Sequence, residues 1–274
     1  MVWMSILLIL LWSPLIYLWM LGPNKPRRKG MRPYEKVLIA HRGLHDASKG
    51  IPENSLTAFR KAVEVGYGME MDLQLTKDGK LVVFHDQSLQ RMCGVKKNLT
   101  DLTYAELLQL RLLGTEEKIP LFDDVLKIAD GKVPLIIEMK SEGRCFRATK
   151  MACKRLESYR GPYCMESFHP ILMWWVRRHY PHVLRGQLSM NYFVEEPDKP
   201  FYQKLVMTSM IFNVFSRPDF IAYKHSQREQ FSYRLLRRLY PVENVAWTIK
   251  SQKELEQARS DFQVMIFDSF TPKG

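Results

Sequence analysis

The chain is poor in cysteine. Four thiols (Cys93, Cys145, Cys153, Cys164) among 274 residues are too few for a disulfide scaffold. None lies in a C-x-x-C pair, which argues against a zinc ribbon. Glycine (14) and proline (15) are sparse and unpatterned, so a fibrous protein is excluded. Repeats and low-complexity tracts are missing too. Acidic charge is short: 29 Asp+Glu face 41 Lys+Arg, a formal net charge of +12. What remains is ordinary. Hydrophobic residues at 46% and charged residues at 26% exclude a disordered chain and a multi-span transporter. The length admits two domains, but an α/β barrel of this size runs as one.

Charge is also absent from the start. Val2 to Leu21 reads VWMSILLILLWSPLIYLWML. Twenty helical residues rise roughly 30 Å, enough to cross a hydrocarbon core. Pro14 falls inside the segment, and Trp3, Trp12, Tyr17 and Trp19 suit an interface. A cleavable signal peptide would need a basic start and a small-residue cleavage site, and neither is there. Five basic residues (Lys25, Arg27, Arg28, Lys29, Arg32) follow the apolar run and none precedes it. The sequence thus predicts a single-pass membrane anchor over 1–22, a basic linker over 23–35 and a domain over 36–274. Charge asymmetry places that domain on the cytoplasmic face, where free thiols also fit.

From Lys36 onward, short apolar runs alternate with amphipathic stretches, the pattern of βα units. Strands are expected at 37–41, 69–75, 81–85, 135–139, 163–168, 185–189, 220–223, 245–249 and 264–268. Nine is one too many for an eight-stranded barrel. Thr76-Lys77-Asp78-Gly79 is a turn signal, so 69–75 and 81–85 read as a hairpin and eight strands remain. Helices are expected at 53–65, 103–111, 121–130, 145–159, 170–179, 227–239 and 251–260. Thr103 with Glu106 makes a capping box, and Ser251 caps in the same way. The stretch 190–219 is aromatic and without clean period. No helix follows the last strand to cover it.

In such a barrel, chemistry sits at the C-terminal ends of the strands. The unusual polar residues of this chain fall there: His41-Arg42-Gly43, Glu70-x-Asp72, His85-Asp86 and Glu138-x-Lys140. Glu70 and Asp72 are two apart and share one side of their strand. Paired carboxylates on a buried face repel unless a cation neutralises them. Glu138 completes a three-oxygen set suited to Mg²⁺ or Ca²⁺ rather than zinc.

Taken in order, His41-Arg42-Gly43, Pro52-Glu53-Asn54-Ser55, Glu70-x-Asp72, Thr76-Lys77-Asp78-Gly79, His85-Asp86 and Glu138-x-Lys140 resemble the glycerophosphodiester phosphodiesterase family. Glu166-Ser167-Phe168, Trp247-Thr248 and Asp268 resemble its later strand-end motifs. The resemblance runs from 36 to about 270 and is faint between 190 and 244. Asn54-Ser55 stands where the family more usually has Asn-Thr. Phe267-Asp268 stands for Thr-Asp, which leaves the role of Asp268 open.

The resemblance implies a (β/α)8 TIM barrel of the phospholipase-C-like phosphodiesterase type, here preceded by one transmembrane helix. It implies an enzyme that cleaves glycerophosphodiesters to an alcohol and glycerol 3-phosphate, or acts on lysophospholipids. One divalent cation, Mg²⁺ or Ca²⁺, would be held by Glu70, Asp72 and Glu138. His41 and His85 would be the acid–base pair, since an unperturbed imidazole near pKa ~6.5 suits either role. Arg42 and Lys140 would grip phosphate oxygens. Glu53 would ligate the metal or orient His41 or Arg42. Phe168 and Trp247 would line the substrate groove or pack its rim. His45 is a weaker candidate, and Asp86 would orient a neighbour. Either water or the substrate's own hydroxyl could be the nucleophile.

The surplus of positive charge is concentrated. Nine Lys/Arg lie between Arg144 and Arg185 against Glu157 and Glu166. Apposition to an anionic membrane through the helix and its basic flank accounts for it. Nucleic-acid binding is not expected, as no recognised module accompanies the charge. The alternative function is a catalytically inactive membrane-bound barrel serving as a lipid-binding or scaffolding module. Loss of a metal ligand or a motif histidine would mark it, and none is lost.

Overall fold

A computed structural model describes residues 2–141, 143 and 145–273, with the side chains of 2–11 and 28 outside the description. Arg144 of the basic run, and the side chains of the first half of the expected span, therefore lie outside the described residues.

Among the described residues there are nine strands: β1 (Ile39–Ala40), β2 (Gly68–Leu75), β3 (Leu81–Val83), β4 (Leu135–Met139), β5 (Tyr163–Ser167), β6 (Leu184–Ser189), β7 (Phe220–Lys224), β8 (Glu243–Ile249) and β9 (Val264–Phe267). All except β3 are parallel to their neighbours, and β1 pairs with both β9 and β2, which closes an eight-stranded barrel. The surplus strand is the expected hairpin arm: β3 pairs antiparallel with the end of β2. Its turn is fixed by Thr76, whose hydroxyl donates to Asp78 (2.6 Å) and accepts from the Lys80 amide.

Thirteen helices are described: α1 (Val2–Leu21), α2 (Arg28–Glu35), α3 (Leu56–Val65), α4 (Gln90–Cys93), α5 (Tyr104–Leu107), α6 (Phe122–Ala129), α7 (Cys145–Leu156), α8 (Pro170–His179), α9 (Tyr192–Glu195), α10 (Phe201–Thr208), α11 (Asn213–Ser216), α12 (Phe231–Leu239) and α13 (Gln252–Ala258). The expected caps form. Thr103 and Glu106 make a capping box, and Ser251 accepts from the Glu254 amide. The helix expected over 103–111 is only the single turn of α5. The stretch 190–219 contains α9, α10 and α11, each too short to show a period in sequence.

Alternation along the strands sorts the barrel into two layers. On β2, Met69, Met71, Leu73 and Leu75 face outward and pack with Phe59 of α3 and Phe122 of α6. The inner layer is Ile39, Ile136, Cys164, Leu184, Leu188, Phe220, Ala222, Val245, Val264 and Ile266. Phe220 fills the space over Gly186, where a Cβ would stand 2.1 Å from its ring. β9 is covered by α13, which packs against it, and by Tyr67 and Phe270, which meet Phe267 edge-on at 5.0 and 5.7 Å.

The N-terminal region departs from expectation. The α1 helix forms, but among the described residues no helix is long and apolar enough to cross a membrane. The last turns of α1 are held by the barrel. Leu21 is fully buried. The Tyr17 hydroxyl donates to the Ser209 carbonyl (3.1 Å), Tyr240 donates to Leu18 O (2.6 Å) and Asn213 to Leu21 O (3.1 Å). Arg217 donates to the carbonyls of Trp19 and Gly22 (2.9 and 2.7 Å). One side of these last turns is thus held against protein, while Leu15, Ile16 and Trp19 stay exposed. The run expected as a linker contributes α2, whose Met31 and Tyr34 are fully buried within the inner layer. This helix floors the barrel at the N-terminal ends of the strands. Burying two such side chains contributes roughly 1.5–3 kcal/mol each.

Candidate active site

The opposite mouth, at the C-terminal strand ends, gathers the polar residues. Inward positions of three neighbouring strands are in register: Asp72 with Glu138, and Glu138 with Glu166. Glu70 sits one inward position below Asp72, and His41 follows β1 beside it, Nε2 3.9 Å from Glu70 Oε2. Oxygens of Glu70, Asp72 and Glu138 lie within 4.8 Å of one another, as the expected ligand set requires.

Two basic side chains hold these carboxylates. Lys140 Nζ stands 2.9 Å from Asp72 Oδ1 and 2.8 Å from Glu138 Oε1. Arg42 Nε stands 3.3 Å from Asp72 Oδ2, and its amide donates to Glu70 Oε2 at 3.0 Å. Residues 42 and 43 both have positive φ (54° and 80°), and a Cβ on Gly43 would lie 2.9 Å from the backbone of Ala58. The tight turn that only glycine permits thus aims the Arg42 amide into the barrel. Burial would raise the Asp72 carboxyl, but Lys140 and Arg42 outweigh it and hold Asp72 well below the carboxylate range. Burial, reinforced by Asp72 and Glu138, pushes Glu70 well above it. Glu138 is also raised by burial, with Lys140 opposing.

Each expected histidine has a carboxylate at Nδ1. For His41 it is Asp268 (3.0 Å), and for His85 it is Asp86 (2.7 Å). A carboxylate only accepts, so Nδ1 donates in both and Nε2 is left for the cleft. Burial lowers the His41 pKa, with the Asp268 hydrogen bond pulling the other way. Asp268 is shared: His45 Nε2 approaches it to 2.8 Å. Burial disfavours the Asp268 charge, yet the two histidines more than compensate and its pKa falls far below the usual range.

Glu53 pairs with Arg42 (2.7 Å) rather than joining the three-carboxylate cluster. Its other partner, Arg91, also holds Asp86, so Arg42, Glu53, Arg91, Asp86 and His85 form one chain of ion pairs. Phe168 lines the cleft. Trp247 stands behind it, edge-on at 5.4 Å, as packing.

Four contributors escaped the sequence reading as site residues. Asn54 is buried at positive φ (55°) and donates to Asp72 Oδ2 (2.9 Å); its place in Pro52-Glu53-Asn54-Ser55 was the available signal. Asp268 was noted without a role. Arg91 lies on α4 with no motif around it. Glu166 is buried with Oε2 unpartnered, and burial together with Glu138 and Asp72 raises its pKa well above the usual value. Its inward position on β5 was the available signal.

Two adjoining cavities open at this mouth. A polar one of ≈390 Å³ is lined by His85, Asp86, Glu138, Lys140, Ser167 and Phe168 among others. A mainly apolar one of ≈660 Å³ shares Ser141, Phe168 and Glu196 with it and runs under α10 between Ile171, Met190, Tyr202, Val206, Met207 and Phe212. A wider cleft of ≈820 Å³ lies at the floor beside α2, away from all of these residues.

Comparison with known proteins places this geometry. A family model, the glycerophosphoryl diester phosphodiesterase family, matches residues 41–225. A glycerophosphodiester phosphodiesterase of Caldanaerobacter subterraneus is 39% identical over 115 residues, 38% of this chain and 45% of its own length. A rat lysophospholipase D is 36% identical over 115 residues, 37% of this chain and 35% of its own length. The chain thus spans less than half of either relative. A phosphodiesterase of Oleispira antarctica, solved with its product sn-glycerol-3-phosphate, superposes with a TM-score of 0.67 at 21% identity, covering 85% of this chain and 92% of that one. The family match takes in well over half of the residues, including both histidines and all three clustered carboxylates, and the chain belongs to the glycerophosphodiester phosphodiesterase family.

Proposed function

We propose that the barrel hydrolyses glycerophosphodiesters to an alcohol and glycerol 3-phosphate. The observation that carries this reading is the pair of Nδ1-anchored histidines at a mouth that also holds three clustered carboxylates. Hydrolysis of a phosphodiester needs a base for the nucleophile, an acid for the leaving alkoxide and positive charge for the phosphoryl oxygens. The two histidines supply the first pair of roles. Each presents Nε2, and the carboxylate behind it stabilises the imidazolium once a proton arrives. Arg42 and Lys140 bring positive charge to the phosphate.

The donors fit a hard divalent cation. Four inward carboxyl groups (Glu70, Asp72, Glu138, Glu166) outnumber two inward cations (Arg42, Lys140), and burial with mutual repulsion raises the pKa of Glu70, Glu138 and Glu166, a cost that a bound cation would relieve. Glu70, Asp72 and Glu138 would hold Mg²⁺ or Ca²⁺, which when bound offsets charge on the phosphoryl oxygens. An inert barrel would have no need of this excess or of two oriented histidines, which disfavours a scaffolding role.

The apolar cavity favours a finer reading, in which the substrate carries an acyl chain as a lysophospholipid does. Its ≈660 Å³, lined mainly by apolar side chains, accommodates a long chain. A glycerophosphocholine headgroup alone would leave most of it empty. The proposal also keeps membrane residence, with the barrel on the cytoplasmic side, on the strength of the uncharged Val2–Leu21 segment and the basic residues after it. Protease protection of the full chain in sealed vesicles tests that orientation. Activity is tested by glycerol 3-phosphate release from glycerophosphocholine and by choline release from lysophosphatidylcholine, each with EDTA, Mg²⁺ and Ca²⁺. Release from neither substrate with either metal would overturn the reading.

A further inference from the structure

Arg91 is bonded to two carboxylates of the mouth at once. Its Nε and Nη2 donate to the two oxygens of Asp86 (2.6 and 2.9 Å), and its Nη1 and Nη2 donate to the two oxygens of Glu53 (2.9 and 2.7 Å). A single nitrogen, Nη2, thus joins Asp86 Oδ1 to Glu53 Oε1. Those same two oxygens carry groups that serve the chemistry. Asp86 Oδ1 accepts from His85 Nδ1 (2.7 Å), and Glu53 Oε1 accepts from Arg42 Nη1 (2.7 Å). A planar guanidinium presents N–H groups along two edges and can fork to both carboxylates, which a lysine ammonium cannot do.

The platform under Arg91 is fixed. Leu89 and Met92, which flank it, are buried in a cluster with Leu99, Leu107 and Leu112, and the Cys93 amide donates to Leu89 O at 2.8 Å. The backbone beside His85 is fixed separately by Gln74, whose side-chain amide donates to the carbonyls of Phe84, His85 and Asp86 (2.9, 3.1 and 2.8 Å). That leaves the Asp86 side chain, which is 21% exposed and open to competition from water. Arg91 holds both of its oxygens, which restricts the carboxylate to the rotamer that faces His85. Burial opposes the charges on Asp86 and Glu53, and Arg91 is the largest of the causes that lower both pKa values.

We infer that Arg91 is a positioning residue that sets His85 and Arg42 in one frame, holding the imidazole through Asp86 and the phosphate-gripping guanidinium through Glu53. The inference rests on the proposed roles of His85 and Arg42. Proton transfer at the diester and the grip on its phosphoryl oxygens then keep one mutual geometry. Misplacement by about 1 Å costs on the order of 10²-fold in rate.

The test is Arg91→Ala in the full chain, read first without any assay of activity. Long-range ¹H–¹⁵N correlation spectra of the histidine rings, taken at alkaline pH, report which nitrogen carries the proton. His85 should leave the Nδ1–H tautomer in the variant while His41, held by Asp268, keeps it. An unchanged His85 spectrum overturns the inference, whatever the enzymatic activity. Loss of both signatures overturns it in favour of a role in folding. On glycerophosphocholine, kcat of the variant should fall by about 10- to 100-fold. Added guanidinium ion, entering the space left by a side chain that is 48% exposed, should restore part of the rate. Arg91→Lys should stay near the alanine variant, since an ammonium does not fork. An undiminished kcat, or a loss that guanidinium leaves untouched, overturns the inference as well. If the wild type itself releases nothing, the proposed activity fails and the spectra alone decide.

Discussion

His41 and His85 are set by the same device, a carboxylate at Nδ1, from different parts of the chain. Asp86 is adjacent to its histidine, whereas Asp268 comes from the far end of the barrel and closes on His41 only because β9 pairs with β1. Substituting Asp268→Asn leaves the size unchanged and removes the acceptor that fixes the His41 tautomer. The expected loss in kcat is roughly 10²–10⁴-fold, by analogy with other carboxylate–histidine pairs. The Asp268 hydrogen bond raises a His41 pKa that burial lowers, so the acid limb of the pH–rate profile should also move to lower pH. A limb that moves upward would contradict the pairing. Glu166 allows a stability test. Its folded-state pKa lies above its ordinary 4.5, so the native state keeps the proton to higher pH than the unfolded chain does. Stability from that proton is intact below pH 4.5 and is lost as pH rises. In EDTA, Glu166→Gln should therefore match the wild-type Tm near pH 4 and exceed it increasingly toward pH 8. A gap independent of pH would refute the assignment. Cys93 and Cys153 are unreactive thiols: burial pushes Cys93 up to about 11 and Cys153 to about 12.

The strands were legible because period-two alternation puts apolar residues on one face while the other carries chemistry. Met69, Met71 and Leu73 interleave with Glu70 and Asp72, and that pattern has no competing helical reading. The hairpin was legible from its turn residues. The α2 helix was hidden. RKGMRPYE offers only Met31 and Tyr34 to a core and contains Pro33, so its order comes from the barrel floor and not from its own propensity. Removing that anchor tests the point: Tyr34→Ala should destabilise the fold by about 3–5 kcal/mol in urea titration, since an aromatic side chain leaves a cavity. The Tyr34 hydroxyl also donates to Leu135 O at 3.3 Å, at the start of the strand that carries Glu138. Gly186→Ala should likewise destabilise, by about 1–3 kcal/mol, because the new methyl meets Phe220. A wild-type urea midpoint in either variant would contradict the packing. The α9–α11 segment was unreadable for another reason: helices of four to eight residues are ordered by tertiary contact, and their apolar residues serve two faces at once.

Across the molecule, charge is divided between the two ends of the barrel. The floor and its surroundings are basic, and the mouth concentrates buried carboxyl groups that outnumber Arg42 and Lys140. A divalent cation that binds the folded mouth alone raises stability by about 2.7 kcal/mol at a hundredfold excess over Kd. A Tm raised by Mg²⁺ or Ca²⁺ should be abolished in Glu70→Ala and retained in Arg91→Ala. The most direct single measurement is glycerol 3-phosphate release from glycerophosphocholine by the full chain, with EDTA, Mg²⁺ or Ca²⁺, beside Glu70→Ala. The account predicts release that depends on a divalent cation and disappears in the variant. Release undiminished by EDTA, or by loss of Glu70, would contradict it.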